Sequence, residues 1–157
     1  MAADELDNER ARVDKKRVPF KPGFLTENLE DLTKVRLTGS RCNVCGIALL
    51  GKRRRCENCT SLDLNDIVFG SLGKVYSYTI QRFAPPSPHA GPNPWVPRAL
   101  AWVDIECGAR ILAPVTTSSE QMAIGMTLRL VCEVGWTDKT NQEVITYRFV
   151  PAINPED

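Results

Sequence analysis

Arg41-Cys42-Asn43-Val44-Cys45-Gly46, followed ten residues later by the second pair in Arg55-Cys56-Glu57-Asn58-Cys59, is the stretch that decides the fold. Two Cys-x-x-Cys pairs this close together are typical of one four-thiolate metal site. Each pair makes a tight turn that directs two sulfurs at a common centre, and Gly46 permits the positive φ that such a turn tends to need. The predicted metal ligands are Cys42, Cys45, Cys56 and Cys59.

Zinc suits four thiolates in a tetrahedral array best, and a closed site of this kind is structural rather than catalytic. Iron is the chemical alternative, because a rubredoxin centre uses similar pairs. Thr60, in place of glycine after the second pair, tilts mildly against iron. Two disulfides or four unrelated thiols are the other interpretations. We expect a structural Zn²⁺ that holds a ribbon of about thirty residues, too short to build its own core.

Length and composition indicate an ordinary globular chain. Its 157 residues allow one medium domain and a small module, and its 43% hydrophobic and 25% charged content are usual for soluble proteins. No run approaches the ~20 apolar residues of a membrane span. The segment 1–6 has no apolar signal core. We therefore expect the reducing cytoplasm, where paired cysteines indicate metal more often than disulfide.

Net charge argues against nucleic-acid binding by bulk electrostatics. The formal charge is +1, and four thiolates (−4) with one Zn²⁺ (+2) would change it to −1. Positive charge is instead local, in Lys52-Arg53-Arg54-Arg55 between the thiolate pairs. These residues either neutralise the metal centre, the interpretation we favour slightly, or contact a phosphate or an acidic partner.

The first 37 residues predict a charged arm and an amphipathic helix. Residues 1–18 are dense in charge of both signs, so alone they would form a solvated helix or a disordered arm. From Thr26 a short helix is predicted, with Thr26 as its cap and Glu27 supporting the first turn. Its apolar stripe recurs at helical spacing in Leu25, Leu29, Leu32 and Val35. We assign 1–37 to arm and helix, 38–67 to the zinc ribbon and 68–157 to the third unit.

The third unit consists of short alternating strands separated by turns. The predicted strands are 73–80, 98–107, 110–115, 126–134 and 143–150, with a helical turn within 118–124. This order outlines a five-stranded OB-fold barrel. The predicted fold class is therefore mainly β: an N-terminal helix, a rubredoxin-like zinc ribbon and an OB barrel. The second strand is apolar on both sides, which predicts a central or covered strand. Cys107 and Cys132 fall on apolar faces and are expected to be buried small hydrophobes.

A proline-rich loop joins the first two predicted barrel strands. Six of the eleven prolines lie between Pro85 and Pro97, and Phe83 and Trp95 add apolar surface. A loop this long in a compact domain is usually functional or disordered, and in OB folds it commonly lines the ligand face. We interpret it as a ligand or partner loop. His89, the single histidine, lies within it, with no motif beside it that predicts catalysis.

In this order, the pieces resemble a family of zinc-ribbon OB-fold proteins often labelled as a domain of unknown function and associated with acyl-CoA metabolism. The resemblance covers roughly residues 24–151. It rests on a predicted helix leading into Cys42–Gly46, then Cys56–Cys59, Gly73–Thr79, Ala101–Ile105, Ile124–Met126 and Phe149–Pro151. One departure is Lys52-Arg53-Arg54-Arg55, where many members carry proline.

The resemblance implies a non-catalytic partner of a thiolase, an HMG-CoA synthase-like enzyme, an aldolase or an enoyl-CoA hydratase, helping to form the channel for a CoA thioester. The sharper expectation is a thiolase-like catalytic subunit acting on an aromatic 3-oxoacyl-CoA such as benzoylsuccinyl-CoA. No catalytic residue is predicted, because acyl transfer needs an activated nucleophile and an oriented base. By residue type and location, the candidate contacts to CoA, substrate or partner are Arg53, Arg54, Arg82, Arg98, Phe83 and Trp95.

Two other classes of function fit parts of the sequence. OB barrels and zinc ribbons both bind nucleic acids, but basic and aromatic residues are not clearly interleaved along the predicted strands. A stand-alone rubredoxin-like redox protein would carry iron and be red, whereas a zinc protein is colourless.

Overall fold

A computed structural model describes residues 15–87 and 92–152, so the predicted arm over 1–14 and His89 lie outside the described residues. The regular elements in these ranges are nine strands and one 3-10 turn. They are β1 (Arg17–Pro19), β2 (Thr38–Cys42), β3 (Ala48–Leu50), β4 (Leu64–Val68), β5 (Leu72–Gln81), β6 (Arg98–Ile105), β7 (Arg110–Val115), the 3-10 turn (Ser119–Gln121), β8 (Thr127–Thr137) and β9 (Glu143–Pro151).

The last five strands close a barrel. Hydrogen bonding runs in the order β9-β7-β6-β5-β8, and β8 pairs again with β9 along its length. All contacts are antiparallel except β7 with β9, where Val115 lies opposite Phe149 in parallel register. The 3-10 turn joins β7 to β8. This connectivity is that of a five-stranded Greek-key OB barrel, so the sequence prediction of the barrel is confirmed.

A separate three-stranded antiparallel sheet, in the order β3-β2-β4, carries the cysteine pairs. β2 ends at Cys42, which lies opposite Leu64 of β4. The second pair follows in the loop between β3 and β4. The sheet is short, but its central strand is buried along most of its length.

The predicted N-terminal helix is wrong. Residues 26–36 form turns without helical hydrogen bonding, and an isolated bridge joins Leu25 to Leu37. Asx-type side chains explain the difference: Asn28 Oδ1 accepts from the Glu30 amide, and Asp31 Oδ1 accepts from the Thr33 amide. Such local bonds offer the backbone an alternative to the helix. The apolar stripe was nevertheless informative, because Leu25, Leu29 and Val35 are buried.

An unpredicted strand, β1, lies beside the barrel. It pairs in parallel with the start of β9, with Val18 opposite Val144. Arg17 Nε lies 3.0 Å from Glu143 Oε2, and its Nη1 donates to the carbonyls of Leu29 and Glu30. The charged segment was expected to be solvated, but Arg17 joins it to β9 and to the turn at Leu29 and Glu30.

One further expectation about the barrel is wrong, and another holds in only one of its two alternatives. Cys107 is exposed, because the chain leaves β6 before it and takes a positive φ of 74° there. β6 is central, between β7 and β5, as one of the two predicted alternatives has it, but its second face is not covered, since Trp102 on that face is 45% exposed. Cys132 is buried, as predicted.

One hydrophobic core joins the N-terminal turns, the ribbon sheet and the barrel. Buried residues of this core include Leu25, Leu37, Phe69, Val103 and Phe149. Phe69 packs so closely on Gly39 of β2 that a Cβ there would lie 2.7 Å from the ring. The ribbon sheet is thus held against the barrel by core packing.

In residues 15–87 and 92–152, no helical segment has the length and apolar character needed to cross a membrane.

Candidate functional site

The four predicted ligands converge on one point. The sulfurs of Cys42, Cys45, Cys56 and Cys59 all lie within 4.8 Å of one another. Two of these separations are 3.5 Å (Cys42 to Cys59) and 3.6 Å (Cys45 to Cys56). A tetrahedral ion with metal–sulfur bonds of ~2.3 Å would separate its ligands by about 3.8 Å. The cluster therefore has the size and donor set of a four-thiolate metal site.

The two cysteine pairs lie on equivalent turns. Gly46 donates its amide to the carbonyl of Cys42, and Thr60 donates its amide to the carbonyl of Cys56, at 2.9 and 3.0 Å. Both residues after the pairs have positive φ, 75° at Gly46 and 61° at Thr60. Glycine takes that conformation freely, whereas a β-branched residue is strained by it. The second turn adopts the same geometry despite its threonine, so Thr60 does not distinguish zinc from iron.

Backbone amides prepare the sulfurs for a charged, metal-bound state. The amide of Ile47 and the side chain of Asn58 lower the pKa of Cys45 to about 6. Amides of Cys45 and Val44 likewise lower the pKa of Cys42. At Cys59 the amide of Ser61 also favours the thiolate, but the neighbouring cysteines outweigh it and raise the pKa to about 12. Because like charges cannot accumulate here without a cation, a metal ion would release the remaining protons.

The basic loop between the pairs is largely tied into the ribbon. Arg53 Nη1 lies 2.9 Å from Glu57, and its Nε and Nη2 donate to the carbonyl of Leu50. Lys52 pairs with Asp66 at 3.3 Å. These partners leave little of Arg53 for a phosphate, whereas Arg54 is exposed. Carboxylates of the ribbon therefore neutralise two of the four charges in this run, and Arg55 donates to the carbonyl of Thr60.

The base of the proline loop brings three side chains together. Trp95 Nε1 donates to the carbonyl of Gln81 at 3.2 Å, and Arg98 Nε donates to Gln81 Oε1 at 3.1 Å. The Arg98 guanidinium lies over the Trp95 ring, 5.0 Å from its centroid. Phe83 is 72% exposed, and Arg82 is also exposed. The structure therefore brings Trp95 and Arg98 together and leaves Arg82 and Phe83 open at the same loop.

An apolar patch on the outer face of the barrel was missed by the sequence reasoning. Trp102 of β6 lies beside Leu112 of β7, and both are nearly half exposed. Tyr76 of β5 also faces outward, where the Arg110 guanidinium lies 3.3 Å from its ring centroid. Arg110 also forms a bidentate ion pair with Asp104. The alternation of β6 contained the signal, because Leu100 and Trp102 fall opposite the buried Ala99, Ala101 and Val103.

The two cysteines outside the cluster lie in different environments. Cys132 is buried, and burial raises its pKa to about 11. Cys107 is exposed, and Arg41 donates a hydrogen bond to its backbone carbonyl. The other four cysteines form the metal cluster.

Three comparisons place this chain among known proteins. Residues 69–133 match the family model described as the C-terminal OB-fold domain of ChsH2. The DUF35 domain-containing scaffold protein of Pyrococcus furiosus is 32% identical over 125 residues, which cover 78% of this chain and 88% of that protein. The solved Ltp2-ChsH2(DUF35) aldolase is similar with a TM-score of 0.57 and 26% identity, covering 75% of this chain and 86% of that chain.

Proposed function

Because this chain belongs to the DUF35 family of OB-fold proteins, we propose that it is a non-catalytic accessory subunit that scaffolds an acyl-CoA enzyme. The resemblance drawn from the sequence is thereby confirmed at the level of the family. The relatives support the role by their names, one a scaffold protein and the other an aldolase that contains a DUF35 chain.

The observation that carries this proposal is the 32% identity to a DUF35 scaffold protein, over 78% of this chain. A thiolate nucleophile needs a base within hydrogen-bond reach and a third group to orient that base. Here the clustered cysteines suit a closed structural zinc site, and Cys132 is buried with its pKa raised to about 11, which leaves Cys107 as the one exposed thiol outside the cluster in the described residues. The chemistry would then be supplied by a partner chain.

The open face of β5, β6 and β7 supports a role in assembly. Tyr76, Trp102 and Leu112 are between 45% and 52% exposed on adjoining strands. Contiguous apolar surface of this kind marks interaction sites more often than it marks free surface. The Asp104 carboxylate on this face is already paired with Arg110, so the two groups add no net positive charge for a phosphate backbone, and the apolar surface suits a protein better than a nucleic acid.

The finer assignment is a thiolase-like partner acting on an aromatic 3-oxoacyl-CoA such as benzoylsuccinyl-CoA. The exposed Phe83 and the half-buried Trp95 would line the acyl or pantetheine path, with Arg54, Arg82 and Arg98 near the CoA phosphates. Arg53 is the weakest of the proposed contacts, since Glu57 and Leu50 already occupy its guanidinium.

An aldolase partner is the second candidate, and the similarity to the Ltp2-ChsH2(DUF35) aldolase favours it. The two candidates differ in the reaction of the catalytic chain, since a thiolase transfers an acyl group to CoA and an aldolase does not.

The test is co-expression with the products of neighbouring genes, co-purification, and assays of thiolysis and aldol cleavage with and without this chain. We expect a stable complex that turns over only when both chains are present. Trp102→Glu should abolish co-purification, whereas Val68→Glu, a charge placed on an equally exposed residue of the ribbon sheet, should not. Turnover by this chain alone would contradict the proposal.

A further inference from the structure

Arg98 is held in place before any ligand arrives. Its Nε donates to Gln81 Oε1 at 3.1 Å, and its guanidinium lies over the indole of Trp95. Trp95 is itself anchored, because its Nε1 donates to the backbone carbonyl of Gln81. Arg98 and Gln81 also face each other across β6 and β5. The guanidinium is therefore held by one hydrogen bond and by stacking on one ring. Of its nitrogens, only Nε donates in this arrangement.

Most other described arginines donate to a carboxylate or to a backbone carbonyl, whereas the terminal nitrogens of Arg98 do not. Four lie within 3.0 Å of a carboxylate oxygen: Arg17, Arg53, Arg110 and Arg148. Three more donate to backbone carbonyls: Arg36, Arg41 and Arg55. In the described part of the chain, the two terminal nitrogens of Arg98 have no acceptor, and no carboxylate lies within 4.0 Å of it. Its partial burial lowers its pKa, which is the effect of desolvation without a compensating anion.

We infer that Arg98, stacked on Trp95, is a binding site for an oxyanion, a carboxylate or a phosphate, at the base of the proline loop. Two terminal nitrogens in a planar fork match two oxygens of either group and form short charge-assisted bonds. Holding the fork in advance reduces the side-chain entropy lost on binding. Phe83 follows Gln81 by two residues, just past the end of β5, and is 72% exposed, so an anion attached to an apolar group fits best.

This site deepens the proposed function and rests on it for the kind of molecule that carries the anion. In an acyl-CoA complex the oxyanion is either a phosphate of the CoA nucleotide or a carboxylate of the acyl group. Both satisfy the same fork, and the choice between them is an experimental one.

The test is a titration of the isolated, metal-loaded chain, followed by two-dimensional ¹H–¹⁵N spectra. Two signals report on the site: the indole Nε1–H of Trp95, assigned with Trp95→Phe, and the Nε–H of Arg98. The probes are inorganic phosphate, CoA and phenylacetate. A response to phosphate and CoA alone identifies a phosphate site, and a response to phenylacetate alone identifies a carboxylate site.

Three variants make the result specific. Arg98→Gln should weaken binding of the responding probe at least tenfold, and Arg98→Lys should weaken it less, because it keeps the charge but loses the fork. Arg129→Gln, which removes the same charge from an exposed position on β8, should leave affinity within about twofold.

The inference is overturned if no probe shifts either signal, or if Arg129→Gln weakens binding as much as Arg98→Gln does. Its failure is separable from failure of the proposed function. A chain that co-purifies with a catalytic partner but binds no anion loses only the Arg98 site, and a chain that binds an anion but finds no partner loses only the accessory role.

Discussion

Arg41 Nη2 donates a hydrogen bond of 2.5 Å to the carbonyl oxygen of Cys107, across 66 residues of sequence. Its Nη1 donates at 3.1 Å to the carbonyl of Gly46, directly after the first cysteine pair. One side chain therefore joins the metal-binding turn to the turn between β6 and β7. A guanidinium has enough separate donors to make both bonds, which a lysine ammonium could not match in geometry.

Replacing Arg41 should weaken the connection between ribbon and barrel. Arg41→Gln removes two hydrogen bonds at a partly exposed site, so we expect a loss of about 1 kcal/mol in the free energy of unfolding. Denaturant unfolding of the metal-loaded chain measures it. Arg54→Gln, an exposed arginine of the same ribbon, is the control and should change stability by less than about 0.5 kcal/mol. Equal effects of the two variants would contradict the bridging role.

The two metal-binding turns predict opposite effects of small substitutions. Thr60→Gly should stabilise the chain by about 1 kcal/mol, because glycine relieves the strain of φ 61°. Gly46→Ala should destabilise it by a similar ~1 kcal/mol, and φ alone is responsible, since no atom lies within 4 Å of the added Cβ. Thermal unfolding at fixed metal concentration compares them. Two changes of the same sign would be inconsistent with this account.

Metal removal should unfold more than the ribbon. The cluster fits one ion per chain, and its binding free energy contributes to folding. We expect elemental analysis to find one zinc per chain and a colourless protein, and a strong chelator to lower the midpoint of thermal unfolding sharply. Cys56→Ser should lose the metal and Cys107→Ser should retain it, because only the first belongs to the cluster. A red protein that contains iron would contradict the zinc assignment and favour the alternative metal.

Tyr147 should make stability fall at alkaline pH. Burial raises the pKa of its hydroxyl to about 12, above the ordinary value near 10 in the unfolded chain. The neutral form is thus favoured by folding, so its contribution is complete below about pH 10 and is lost as pH rises toward 12. Tyr147→Phe keeps the ring and loses the bond to the Leu112 carbonyl. The stability difference between the two proteins should shrink, or reverse in favour of phenylalanine, from pH 9 to about 11.5.

The barrel and the metal cluster could be predicted from the sequence because the patterns that indicate them are local. Strand alternation in residues 126–134 and the spacing of the cysteines need no knowledge of distant contacts. The same strategy was wrong at Leu25 to Val35, where the burial period was right but the Asx-type bonds of Asn28 and Asp31 set the backbone. It was also wrong at Cys107, where alternation was carried past the end of β6.

Non-local contacts account for the remaining differences. β1 is defined by parallel pairing with residues more than 120 positions away, which no window of sequence can show. Alternation alone would put Tyr76, Tyr78 and Ile80 on one face, but a bulge between Val75 and Ser77 shifts register by one residue and separates Tyr76 from the other two. Among the candidate contacts, Trp95 and Arg98 were suggested by their residue types and their positions in the sequence. Their shared contacts with Gln81 are three-dimensional and are not visible in the sequence. The contact roles of these residues stay predictions.

β1 also has a consequence for how copies of this chain behave in concentrated solution. Beyond the single pairing of β7 with β9 at Phe149, the edge of β9 would offer unpaired amides and carbonyls to any passing strand. Residues 17–19 of β1 pair with that edge at residues 143–145, so β1 shields this part of β9. A variant that lacks residues 1–20 should therefore self-associate through this edge. We expect its aggregation to appear before any other change in its properties.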